Sequence, residues 1–232
     1  MSTTQYFIGF QASEQLTTQA KRLLELRGNV PPQTLLKPLE QVVEPFIPEV
    51  LTNMLANSVE AVGLSPMASK VVNGAVDTLN SAARLLVSKL LKKRSDDEIV
   101  NMSGFIDDIY LPANRTSNGL DCCGAEISQK DFEEMKFIIS EIRAGRAQSV
   151  VPRLNAIMID VADLVLESFM KRPLSVLDLN FVIRKVVDGT FATSRAATHM
   201  VVNRVYKQLN DEELLRFADY FDKQLFSATA RI

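Results

Sequence analysis

One histidine, His199, and two side-by-side cysteines, Cys122 and Cys123, are the chain's whole stock of imidazole and thiol side chains. A lone imidazole can act as a general base. No serine or cysteine nucleophile is tied to His199 by spacing, however, and no acidic residue stands where it would orient the ring. A single histidine far in sequence from an adjacent thiol pair also argues against a zinc site. Asp160, Asp163 and Glu167 fall at i, i+3 and i+7, near one face of a helix. Such a stripe could hold Mg²⁺ if a second carboxylate-bearing helix faced it. It is equally the solvated face opposite Val161, Val165 and Phe169. Asp107-Asp108 is an acidic pair without the third carboxylate of a Mg²⁺-diphosphate motif. Gly63, Gly74 and Gly104 are isolated, so no glycine-rich loop cradles a phosphate. Catalysis is the least supported class of function, and no cofactor or metal is expected.

Two other patterns carry more. From Val50 to Ser88 the only charges are Glu60, Lys70, Asp77 and Arg84. So little charge over a helical stretch means that most of its surface is covered by something other than bulk water. Its polar residues are Asn, Ser and Thr rather than Lys, which suits packing against protein better than lying on a membrane. Val72, Val76, Leu79, Leu86 and Leu90 follow a heptad-like spacing and are the candidate interface, with Met54 and Leu55 supporting. The second pattern is basic: Arg184, Lys185, Arg195, Arg204 and Lys207 against Asp188 alone between 184 and 208. Two helices around Asp188-Gly189-Thr190 would give loose helix-turn-helix spacing with a phosphate-binding composition.

The elements that must position these residues read as helices. Ser13 caps a helix to Arg27, stopped by Gly28, with Leu16, Ala20, Leu23 and Leu24 inward. Pro38, Pro45 and Pro48 predict a short helix near 37–44, a kink at Glu44-Pro45 and a longer helix from Pro48 to Val62, ended by Gly63. Pro66 to Arg94 is the longest helix. Residues 103–127 are rich in turn formers and read as loop, with 105–111 a short strand or a helical turn. Ser128 caps a helix to Arg143, and Val151 to Phe169 marks the next. Val176–Val187 and Ser194–Leu209 follow. Asn210 with Glu213 starts a last helix through Leu214, Phe217, Phe221 and Leu225. The apolar segment Tyr6-Phe7-Ile8 with Phe10 would dock on the chain's own core or on a neighbour.

The expected fold is therefore all-α, a multi-helix bundle of about seven to nine helices with an irregular acidic connector. Net charge is −2 overall but −6 over residues 96–127, between 1–95 at +3 and 128–232 at +1. That divides the chain into an N-terminal helical half (1–95), the acidic connector (96–127) and a C-terminal helical half (128–232), which could pack as one domain. Neighbouring cysteines pair poorly. The start lacks a basic signal-peptide region and no apolar run reaches the length of a membrane span. These features predict a soluble, cytoplasmic protein. The expected function is non-enzymatic: protein–protein association, including self-assembly into a homo-oligomer. Nucleic-acid binding through the basic helices 184–207 is the alternative, and apolar-ligand or membrane-surface binding comes third.

Overall fold

The first element is a strand, β1 (Thr4–Gln11), and it lies inside a four-stranded antiparallel sheet of order β2-β3-β1-β4. The other strands are β2 (Tyr110–Leu111), β3 (Cys122–Ile127) and β4 (Leu225–Thr229). The computed structural model describes residues 3–63, 70, 73, 74, 76, 77, 80, 94–205 and 208–230. The fold is mostly helical with this small sheet, which corrects the all-α expectation. In register, Ile8 faces Ala125 on one side and Leu225 on the other. Phe7, Ile8, Gly9 and Phe10 are all buried, because both faces of β1 are covered. A strand covered on both faces reads as a continuous apolar run and loses the alternation that marks a strand in sequence.

One sheet face carries Tyr6, Ile8, Phe10, Ala125, Ile127 and Leu225 and supports two apolar clusters. The first joins Ile8, Ala125 and Ile127 to Ile138, Leu154, Met158, Leu214 and Phe217. The second joins Phe10, Tyr110 and Cys123 to Leu16, Leu23, Leu39, Ile99 and Ile106. Met54 and Phe169, each from a single turn of π-helix (Thr52–Ala56 and Glu167–Lys171), touch both clusters. On the opposite face Phe7, Leu111, Cys122, Phe226 and Ala228 form a smaller cluster.

Helix α1 (Glu14–Leu26) is capped by the Ser13 hydroxyl, which accepts from Leu16 N at 3.1 Å. Leu16, Ala20 and Leu23 are buried as their spacing predicts, and Gly28 follows at φ +81°. Helix α2 (Leu36–Leu51) runs without interruption through Pro45 and Pro48, where a break was expected. Each interior proline costs about 3 kcal/mol; burial of Leu39, Val42 and Phe46 along one face offsets that loss. A π-turn leads directly into α3 (Asn57–Val62), and Gly63 ends the run at φ +70°, as expected. The Arg216 side chain closes this end by donating to Val62 O at 2.8 Å.

The acidic stretch is the second correction. Asp96, Asp97 and Glu98 are the first turn of α4 (Asp96–Ile109), where three carboxylates complement the helix dipole. Ser95 and Glu98 form a capping box. The helix continues through Ser103-Gly104, which the turn-former count had made loop. A Cβ at Gly104 would lie 3.0 Å from the Arg27 guanidinium, which reaches past it to pair with Asp107. With β2 and β3 following, residues 96–127 are largely ordered structure, with a loop only at 112–121.

Glu98 also accepts from Asp178 N at 2.9 Å and pairs with Arg94 at 3.0 Å. Burial pushes its carboxyl up, but the N–H groups of Ser95 and Asp178, the Arg94 guanidinium and the Ser95 hydroxyl outweigh it and hold the pKa at about 2. A carboxylate depressed in the folded state adds stability above its unfolded pKa and loses it as pH falls through the folded one. Glu98→Gln should therefore cost about 1–2 kcal/mol at neutral pH. The cost should shrink as urea titrations are run from pH 4.5 toward 2. A cost that stays constant over that range contradicts the assignment.

The C-terminal part contains α5 (Gln129–Arg143), α6 (Ala147–Leu166), the short α7 (Arg172–Ser175), α8 (Phe181–Val205) and α9 (Asp211–Asp222). Ser128 caps α5, and Met135, Ile138, Ile139 and Ile142 are buried. Asn210 and Glu213 form the expected capping box of α9, but the element stops at Asp222 and Leu225 opens β4. Helix α8 is one continuous helix of 25 residues through Gly189, where two helices and a turn were expected. A single helical glycine costs about 1 kcal/mol against alanine, too little to end a helix whose Val187, Ser194, Thr198, Val201 and Val202 are buried. Among the described residues no helix is long and apolar enough to cross a membrane.

Candidate functional site

Helix α8 lies against α6, and its polar contacts join the two. Asp163 on α6 receives the Arg195 guanidinium at 2.8 and 2.5 Å and His199 Nε2 at 2.7 Å. Arg195, assisted against burial by His199, holds the Asp163 carboxyl below its usual range. Asn203 donates to His199 O at 2.9 Å, and Asn155 Nδ2 on α6 donates to Asn203 Oδ1 at 3.3 Å. These contacts tie two helices together. Among the described residues no hydroxyl or thiol is hydrogen-bonded to His199. Asp163 thus leaves the acidic stripe to serve Arg195 and His199, and Glu167 pairs with Lys171 at 3.0 Å. Asp107 pairs with Arg27.

The two thiols point to opposite faces of β3, Cys122 among Phe7, Leu111 and Phe226 and Cys123 in the second large cluster. Burial pushes both pKa values up, that of Cys123 furthest. A buried thiol kept protonated is a poor nucleophile and a poor ligand.

Of the candidate interface residues, Met54 and Val76 are half-buried and pack against the chain's own core. Val72, Leu79, Leu86 and Leu90 lie outside the described residues, as does the side chain of Leu55. Of the basic set, Arg184 and Lys185 are exposed near the start of α8, Arg195 is engaged by Asp163, and Lys207 and the side chain of Arg204 lie outside the described residues. The turn that would make a helix-turn-helix is absent, because α8 is continuous there.

A surface that the spacing arguments passed over is the outer side of α8. Gly189, Ala192, Thr193, Ala196 and Met200 are exposed along it, and the charge beside them, Arg195, is answered by Asp163. At the N-terminal end Phe181 is 71% exposed, with Lys185 Nζ 4.5 Å from its ring centroid. The signal was in the sequence: from Gly189 to Met200 only Arg195 is charged. Dividing the segment into two short helices hid it.

The second surface is a cleft of about 440 Å³ beside the sheet. Phe7, Gly124, Asp108, Glu126, Ser168 and Arg172 are among the residues that line it. Asp121 fixes the adjoining 112–121 loop by accepting from the Tyr110 hydroxyl at 2.8 Å, Lys21 at 3.0 Å and Ala113 N at 3.1 Å. Burial works to raise the Asp121 pKa, but these three donors outweigh it and hold the carboxyl below its usual range. The chain matches no family model, no curated protein and no solved structure.

Proposed function

We propose that the protein works by protein–protein association, including association with copies of itself, and not by catalysis. The observation that carries this reading is the outer side of α8, a long helical surface nearly free of net charge, with Phe181 71% exposed at one end and Met200 38% exposed toward the other. An exposed phenylalanine followed by small uncharged side chains gains by being covered. A membrane surface is a weaker match, since interfacial helices set a strongly basic face against the apolar one. Nucleic-acid binding loses one of its five basic residues to Asp163. Size-exclusion chromatography with light scattering tests the proposal. Mass should rise with protein concentration, and a strict monomer at about 100 µM would remove self-association from the reading.

A further inference from the structure

We propose that the cleft beside β3 binds an extended peptide, laid along Glu126 as an added strand. Its basic side chain would meet Asp108, and its acidic side chain or terminal carboxylate would meet Arg172. The inference goes beyond the association surface on α8 and stands separately from it.

Strand geometry supplies the first argument. Gly9 N donates to Gln224 O at 2.9 Å, so the odd-numbered residues of β1 bond toward β4 and the even-numbered ones toward β3. Ala125 and Ile127 face Ile8 and Tyr6 and bond inward, which turns the main-chain N–H and C=O of Glu126 outward. β2 pairs only with Cys122 and Cys123, so among the described residues no strand covers Glu126 on that side. The opposite edge of the sheet is closed: Ser117 N donates to Ser227 O at 2.8 Å and Thr229 N to Arg115 O at 2.9 Å. Gly124 and Ala125 both line the cleft although their side chains would point to opposite faces, so the cleft reaches the main chain of the edge itself. An open edge of this kind is completed by an added strand.

The lining supplies the second. Ser168, 4% exposed, lines the cleft. Asp108 and Arg172 are exposed and make no ion pair among the described residues. Charges of both signs in one lining select an occupant that carries both, and Phe7 and Phe105 line the same cleft. A peptide brings all of this at once: main-chain groups for the strand edge and alternating side chains for the charges beside it.

The test uses the full chain and a display library of random ten-residue peptides, with the enriched peptide then synthesised as the probe. Selected peptides should carry both charges, and the probe should shift the amide signals of residues 124–127 and protect the Glu126 N–H from exchange. Glu126→Pro removes that donor and should weaken binding by about tenfold or more. Should Glu126→Pro not fold, the exposed Arg172→Glu serves in its place with the same expected loss. Four outcomes overturn the proposal: no peptide enriched, shifts confined elsewhere, unchanged binding by both weakening variants, or a wild-type dimer that Glu126→Pro dissociates. The last would make the occupant a second copy of the chain. Self-association that persists in Glu126→Pro, with no peptide bound, would overturn this inference and leave the α8 reading intact.

Discussion

Gly9→Ala should destabilise the protein by more than about 4 kcal/mol, the range reached only when backbone or core must give way. A methyl group at Gly9 runs into the Cys123 carbonyl oxygen and lies 2.5 Å from Gly124 Cα. Both obstacles are main chain of the neighbouring strand, and β1 is held on its other side by β4, so neither can retreat without opening the ladder. Domains of this kind have about 5–15 kcal/mol in hand, and a loss of that size would leave a substantial unfolded fraction. Gly124→Ala is the control. Its Cβ meets the Phe226 ring at 3.0 Å, Phe7 Cβ at 3.2 Å and the Ile8 carbonyl oxygen at 3.3 Å, contacts that ease with shifts of a few tenths of an ångström. Urea denaturation should rank Gly9→Ala well below Gly124→Ala. Equal midpoints would contradict the strand pairing drawn here.

Phe217→Ala should cost about 3–5 kcal/mol, the usual cost of removing a buried aromatic ring. Phe217 is 1% exposed, stacks on Phe221 with centroids 4.3 Å apart, and lies in the cluster that joins α9 to the sheet. Leu215, two residues away and 42% exposed, should tolerate alanine within about 0.5 kcal/mol. The contrast is readable by thermal or urea unfolding. A Phe217→Ala variant as stable as Leu215→Ala would mean that α9 does not pack as described.

Capping chemistry made the helices legible. Ser13, Ser128 and Asn210 each stand at the helix start that their side chains predict, and Gly63 stands where α3 ends. The sheet was not legible, for three separate reasons. β1 is apolar on both faces and so lacks alternation, β3 is Cys-Cys-Gly-Ala-Glu-Ile with one β-branched residue, and β4 follows α9 so closely that Leu225 continued its periodicity. Propensity also misled at Pro45, Pro48, Ser103-Gly104 and Gly189, where burial of one helix face outweighs a local preference. For function, the charge-poor pattern was the useful signal, and the same criterion applied to residues 189–200 points to the outer side of α8. Which residues answer Arg195 and His199 could not be read from spacing, because Asp163 lies 32 and 36 residues away in the chain.

Association through the outer side of α8 is the central claim, and sedimentation equilibrium of the wild type beside Phe181→Asp tests it most directly. Phe181 is too exposed for its loss to disturb the core, so the variant should unfold within about 0.5 kcal/mol of wild type. The account predicts a reversible wild-type oligomer whose dissociation constant rises by about tenfold or more in Phe181→Asp. Wild type and variant that associate with the same constant, or that are both monomeric at every concentration, would contradict it.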